Sequence, residues 1–346
     1  MDKRRLLLAI ALLGIVLGSS VVGYYYRSSS SKYVYLSTTT SFDATGFLYF
    51  LKDYLYDKYG LDLGRTAVGT GMALRIADRG DSDGCIVHAP KYEYLYRKNG
   101  TFETRKVIAY NFFVIVGPSN DPAGVSRAND TVEAFYKILL YGESHPNEKV
   151  FVSRYDESGT HVKEKSIREL VISRYHLNVT YSEISSRPRY VRASAGMSET
   201  LMMAQEFSAY TLSDIATYLV MKKNAGLRLD KLRAGDYYTL NVYSIMVVKN
   251  AKHEREAIRL ADFLASDEGQ NLFSGYGTEE YGYPLFFPAR PLLSAYKSGS
   301  LQPGTEEYVP PDLKGKVDDL TLARRIFEYA FRDVNGDNIP DRESGR

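Results

Sequence analysis

Apolar residues recur along this chain with two alternating periods, about two and about 3.6, the signatures of strands and helices. Tyr33-Val34-Tyr35-Leu36 reads as a strand, and the helical pattern after it sets Phe47, Phe50, Leu51, Tyr54 and Leu55 on one face. That helix is expected to be capped among Ser41, Asp43 and Thr45. Gly84 to Val87 is a short buried strand ending at His88-Ala89-Pro90, and Tyr110 to Pro118 is a strongly apolar strand closed by Gly-Pro. A helix from Asp130 to Leu140 carries Val132, Phe135, Ile138 and Leu139 on one side. Lys149 to Val152 is strand-like, and Val162, Ile167, Leu170 and Val171 mark the helix that follows. Ser194 to Ser198 opens another helix through Leu201 and Met202, and Ala209 to Asp214 is a strand running into a helix. Tyr243 to Val248 is a return strand, His253 to Ser266 an amphipathic helix, and Asp318 to Arg332 a last helix with Leu322, Ile326 and Phe327 apolar.

Strands alternating with helices predict an α/β fold with mixed, mostly parallel sheets. The 346 residues suit about two domains. The apolar strand at Tyr110 to Pro118 reads as a crossing between lobes and the strand at Tyr243 as the way back. Lobe one then comprises residues 33–117 plus 244–290, and lobe two residues 118–243. Residues 291–317 read as a Pro/Gly/Ser-containing linker, and residues 318–346 as a helix with a tail. Two crossings would place strand-end loops face to face across a cleft.

The N-terminus changes this picture. Lys3, Arg4 and Arg5 precede an uncharged apolar run from Leu6 to Val22. Seventeen residues at ~1.5 Å each span about 26 Å, marginal for a bilayer. Basic residues ahead of an apolar run predict an exported body, so residues 1–23 are a signal or an anchor. No Ala-x-Ala cleavage site follows, and Tyr24-Tyr25-Tyr26 suits a membrane interface, which favours the anchor with residues 24–32 as a tether. The formal charge of +2 contains three cations and one anion from the first 23 residues, so the exported part is neutral. A neutral body argues against nucleic acid, which needs a basic face. Cys85 is the single cysteine and lies in an apolar run, where it serves as a small hydrophobe. Nothing gives it, His88 and His161 the paired spacing of a metal site.

Candidate chemistry sits where strands meet helices. Ser153-Arg154-Tyr155-Asp156-Glu157-Ser158-Gly159-Thr160-His161 turns from a strand into a helix. Such a turn leaves backbone N–H groups and the positive end of the helix dipole facing outward, which suits an anion. Arg154 adds a planar, permanently charged donor fork. Ser158 or Thr160 acting only as a helix cap is the competing reading. Ser37-Thr38-Thr39-Thr40-Ser41 forms a second hydroxyl-rich loop, and Gly69-Thr70-Gly71 a third turn open to close backbone approach.

Taken together, these segments resemble the tungstate-binding proteins of ABC-type uptake transporters. The likeness runs from about Tyr33 to Ala289. It is carried by Thr38-Thr39-Thr40-Ser41, Val68 to Leu74, Val87-His88-Ala89-Pro90, Asn111 to Pro118, Asp121-Pro122-Ala123-Gly124, Ser153-Arg154 with Asp156 to His161, Tyr210 to Asp214 and Pro284 to Pro288. The resemblance implies a two-lobed, type II periplasmic-binding-protein fold that closes on an oxyanion and hands it to a membrane permease, without catalysis. By position it implies Thr39, Thr40, Ser41, Thr70, Arg154, Ser158, Gly159 and Thr160 as ligands of tungstate or molybdate. Two departures stand out. Tyr155 occupies a position where the family usually has Gly, and Ile215 one where an Arg commonly follows the Thr-Asp segment.

Two other functions compete. Phosphate suits the same fold but carries a proton near neutral pH, for which Asp156 is the candidate acceptor. A surface hydrolase needs a serine beside a base; only His88 and His161 lie near the loops, and no Gly-x-Ser-x-Gly elbow occurs. In the tail, Asp333, Asn335, Asp337 and Asp341, with the carbonyl of Ile339, match part of a Ca²⁺ loop. Ser344 replaces its usual Glu and Asn338 its glycine, so a solvated acidic tail competes.

Overall fold

A computed structural model describes residues 32–331 apart from 235, 308, 316 and 317. The N-terminal apolar segment and the Ca²⁺-like residues Asp333, Asn335, Asp337, Ile339 and Asp341 lie outside the described residues. In chain order the first elements are β1 (Lys32–Thr39), α1 (Thr40–Ala44), α2 (Phe47–Tyr59), β2 (Leu61–Val68), α3 (Thr70–Asp78), β3 (Gly84–Val87) and α4 (Pro90–Lys98). Then come β4 (Phe102–Gly117), α5 (Thr131–Ser144), β5 (Phe151–Ser153), α6 (Gly159–Arg174), α7 (Tyr181–Ser185), β6 (Tyr190–Arg192), α8 (Met197–Glu206), β7 (Thr211–Asp214) and α9 (Ile215–Asn224). The chain continues through β8 (Asp230–Ala234), β9 (Leu240–Val248), α10 (Glu254–Ala265), α11 (Asp267–Gly275), α12 (Thr278–Tyr281), β10 (Phe287–Pro288), α13 (Ala289–Ser298) and α14 (Asp319–Phe331).

One strand serves two sheets. The first sheet has the order β10-β4-β9-β3-β1-β2. β4 pairs with β9 from Phe102 to Phe112, and with β7 and β8 from Phe113 to Gly117. β5 and β6 form a small parallel pair that joins the second lobe through a bridge from Phe151 to Tyr210. β1 is parallel to β2 and β3, but β9 runs antiparallel to both β3 and β4. The sheets are mixed, with more antiparallel pairing than the sequence pattern suggested. β4 leaves the first lobe and β9 returns to it, so the two crossings run in opposite directions and pair antiparallel.

Each lobe buries its own core. Leu36, Phe42, Phe47, Leu51, Leu264 and Phe286 pack between the first sheet and helices α2, α10 and α11. Phe113, Phe135, Phe151, Ile167, Val171 and Leu212 fill the second lobe against α5 and α6. At 16 residues β4 is buried through most of its length, which explains its near-continuous apolar run.

Part of the expected 291–317 linker is helical. α13 spans Ala289–Ser298 and seats Leu292 and Leu293 against Val107, Tyr110, Leu240 and Val242, beside Leu322 and Ile326 of α14. Pro291 is tolerated in the first turn of α13, where its missing N–H would have had no partner within the helix. Among the described residues no helix is long and apolar enough to cross a membrane.

Candidate functional site

β-branched threonines favour extended backbone, and β1 runs unbroken through Ser37, Thr38 and Thr39. The tract read as a hydroxyl loop is therefore strand, then helix. Ser37 Oγ donates to the Ala73 carbonyl of α3 at 2.9 Å and Thr38 Oγ1 to the Ile86 carbonyl of β3 at 2.9 Å, which commits both hydroxyls to the fold. Thr39 caps α1, accepting from Phe42 N at 3.2 Å. Ser41 Oγ lies 3.3 Å from Thr39 Oγ1 and 3.4 Å from His88 Nε2. Thr40 Oγ1 is buried with no hydrogen-bond partner among the described residues.

Across the cleft, β5 ends at Ser153 and a bent loop leads into α6. Tyr155 and Glu157 hold φ of +48° and +57°, the left-handed region that side chains disfavour. A glycine would meet no such resistance. Tyr155 packs instead on His161, with ring centroids 5.0 Å apart, and under the Arg192 guanidinium at 4.4 Å. Ser158 caps α6 by accepting from His161 N at 3.3 Å, so the capping reading holds for this oxygen while its O–H remains able to donate. Arg154 is only 3% exposed; its Nη2 donates to Asp156 Oδ2 at 2.6 Å. Asp156 Oδ1 accepts from Ser158 N at 3.2 Å. Arg154 Nε and Thr160 Oγ1 are buried and have no hydrogen-bond partner among the described residues.

A polar cluster behind the loop holds it in place. Glu164 accepts from Ser153 Oγ at 2.5 Å, from Arg168 Nε at 3.0 Å, and from Tyr190 Oη. His161 Nδ1 accepts from Glu157 N at 3.0 Å, and its Nε2 meets Tyr181 Oη at 3.0 Å.

The two lobes touch at the site. Gly159 N donates to Thr70 Oγ1 at 3.1 Å and Tyr92 Oη to Glu157 Oε2 at 3.2 Å. Gly159 has no room for a side chain: a Cβ there would come within 2.8 Å of His88 Cε1. Thr70 of one lobe thus meets Gly159 of the other, and His88, in contact with Ser41, abuts the same glycine.

His88 was singled out in sequence only as a remote metal ligand or base. It is buried, with Nδ1 2.7 Å from Asn241 Oδ1, and burial together with the Arg154 and Lys163 charges pushes its pKa down to about 4. Lys163 is a functional candidate that sequence reasoning missed. Burial pushes its pKa down to about 7 against the pull of Asp236, and it lies beside His88 and Gly159 in an interlobe cavity of about 560 Å³. Its position four residues into α6, one turn beyond the Ser-Gly-Thr segment, was the available signal. Asp214 caps α9, accepting from Thr217 N at 2.8 Å and Thr217 Oγ1 at 2.7 Å, and burial raises its pKa. Ile215 follows it as a buried core residue. Cys85 is buried and its pKa is pushed up to about 12, an unreactive thiol. Among the described residues, no three His, Cys, Asp or Glu side chains group to hold a metal ion.

Residues 27–268 match the PBP superfamily domain. The chain belongs to that superfamily. It is also a member of the family of the tungstate-binding protein TupA of Peptoclostridium acidaminophilum, to which it is 35% identical over 293 residues, covering 82% of this chain and 95% of that one. Among solved structures it resembles the tungstate ABC transporter protein of Geobacter sulfurreducens at 35% identity and a TM-score of 0.61, over 70% of this chain and 98% of the other. It also resembles the tungstate-binding protein TupA of Desulfovibrio alaskensis G20, at 33% identity and a TM-score of 0.60, over 74% and 98% of the two chains. These relatives carry tungstate-binding or tungstate-transporter names, not enzyme names.

Proposed function

We propose that this protein captures tungstate or molybdate between its lobes outside the cytoplasm and delivers the anion to an ABC permease. The observation that carries this reading is three buried polar atoms with no hydrogen-bond partner among the described residues, Thr40 Oγ1 and Thr160 Oγ1 at helix starts of the two lobes and Arg154 Nε on the loop before α6. A buried donor without a partner is costly, and an oxyanion would satisfy all three. Thr70, Ser158 and the N–H of Gly159 complete the proposed ligand shell, with Thr39 and Ser41 beside it. An anion touching both lobes stabilises the closed form through contacts the open form lacks. The N-terminal segment would serve as export signal or membrane anchor.

Phosphate fits less well. Asp156 already accepts one hydrogen bond at each oxygen, from Arg154 and from Ser158 N, which makes it the group that orients Arg154 and the loop, and the names of the relatives speak for tungstate. Ser41, His88 and Asn241 resemble a hydrolase triad, but a base held near pKa 4 is a weak one at neutral pH. Isothermal titration with tungstate, molybdate, sulfate and phosphate tests the proposal. Tungstate and molybdate should bind far more tightly than phosphate; micromolar phosphate affinity with no measurable tungstate binding would overturn it.

A further inference from the structure

A directed chain of hydrogen bonds runs under the anion site and ends in it. Its far end is the Leu285 carbonyl, which can only accept. Asn111 Nδ2 donates to that carbonyl at 3.1 Å, which turns Asn111 Oδ1 toward Asn241. Asn241 Nδ2 donates to Asn111 Oδ1 at 2.8 Å and to Tyr243 Oη at 2.9 Å, so Asn241 Oδ1 is the end that faces His88. An oxygen there requires a proton on His88 Nδ1, 2.7 Å away. With Nδ1 protonated and the ring neutral, Nε2 carries a lone pair. The Arg154 and Lys163 charges that act on the ring, and its burial, all oppose a second proton. Ser41 Oγ, 3.4 Å from Nε2, must then donate to it, and its oxygen is left to accept from Thr39 Oγ1 at 3.3 Å.

We propose that His88 is a positioning residue: it commits the Ser41 proton away from the anion, so that Thr40 is the hydroxyl of the tract that donates to the ligand. His88 also sets the spacing of the lobes. Its ring is stacked on Tyr243, with centroids 4.9 Å apart, and fills the space beside Gly159 where any larger residue would collide. The same imidazole thus orients the hydroxyls of one lobe and abuts the helix start of the other. Ser41 acts as a relay in this arrangement and gives the anion no proton.

This inference rests on the proposed oxyanion function, and its test separates the two. If the parent protein binds no tungstate, that function fails and the inference is judged on the histidine signals alone; if it binds, the variants and the histidine signals both judge the inference. Titration with tungstate should show Ser41→Ala weakening binding clearly less than Thr40→Val. His88→Phe keeps a ring on Tyr243 but removes the acceptor, so the Ser41 O–H is free to turn to the anion and binding should tighten, by up to about tenfold, the scale of one neutral hydrogen bond. In a Ser41→Ala background the same change should have little further effect, because His88 acts through Ser41. Equal losses for Ser41→Ala and Thr40→Val, weaker binding on His88→Phe, or an effect of that change undiminished in the Ser41→Ala background, would overturn the proposal. Should His88→Phe fail to fold, ¹⁵N spectra of histidine-labelled parent protein decide the matter. A protonated Nδ1 and a bare Nε2 at pH 7 support the proposal, and the opposite tautomer refutes it.

Discussion

Gly159 of the second lobe donates its backbone N–H to Thr70 Oγ1 of the first, across 3.1 Å. This N–H opens α6 and belongs to the group any anion at that helix start would engage. Thr70 is buried at the start of α3, so the contact joins two helix N-termini in the closed form. Thr70→Ala removes it without altering either core. The expected result is an anion affinity weaker by about 1 kcal/mol, the value of a typical net hydrogen bond. Small-angle scattering of the anion-free variant should show a larger radius of gyration; a radius and affinity equal to the parent's would refute a role in closure.

Arg154 should matter more. It carries a full charge into a buried cleft, where a dianion is costly unless offset. Arg154→Ala is expected to cost 2–5 kcal/mol or more of tungstate binding, on the scale of truncating a buried charge pair. Lys should restore part, since it keeps the charge and loses the fork. Thr40→Val should cost less than Arg154→Ala. Titration of all three, with circular dichroism as the folding control, checks the order. A folded Arg154→Ala protein that binds tungstate like the parent would move the site elsewhere.

The left-handed backbone at Tyr155 makes a prediction about stability. Tyr155→Ala keeps the strain and loses the contacts to His161 and Arg192, whereas Tyr155→Gly loses the contacts and relieves the strain. Left-handed backbone costs an L residue about 1–2 kcal/mol, so the glycine variant should be the more stable of the two by about 1 kcal/mol. Glycine is the worse choice at most positions, so thermal unfolding midpoints in the reverse order would show that the bend relaxes.

Stability should also fall with acid in a defined window. His88 is held at about 4, against an ordinary 6.5 when unfolded. Burial lowers His161 in the same direction. Between those values the unfolded chain binds a proton that the folded chain refuses, so stability rises with pH there and is lost as pH drops from 6.5 toward 4. Unfolding midpoints measured at steps across that range should slope more steeply for the parent than for His88→Phe. Parallel slopes would mean that the imidazole titrates normally.

Local signals in the sequence carried far. The strands at Val34, Ile86, Phe113 and Ile245, and the helix starting beside Ser158, all follow from period and capping residues. What escaped was set by distance along the chain. The partner that fixes His88, Asn241, lies 153 residues away, and nothing local reveals it. Lys163 reads as a solvent-facing helix residue until the fold brings the Phe113 ring of β4 to 5.9 Å from its ammonium. The hydroxyl run from Ser37 looked like a loop because serine and threonine compete with backbone pairing; parallel neighbours on both sides kept it in the sheet. Pro291 suggested a linker, and only the apolar wall around Leu240 made α13 worthwhile.

The shared strand has a consequence for how the chain comes together during synthesis. β9 lies between β4 and β3, yet it is made after the whole second lobe, since it begins at Leu240. Until then the first three strands form a patch whose β3 edge is open, and β4 can reach its other sheet partners, β7 and β8, before its own neighbour in the first sheet exists. The second lobe can therefore mature first, with the ribosome still holding back the strand that seals the first. An open edge of this kind invites pairing with other chains. Slow passage through residues 211–248 would therefore expose the nascent protein to aggregation for longer than the same delay after Val248.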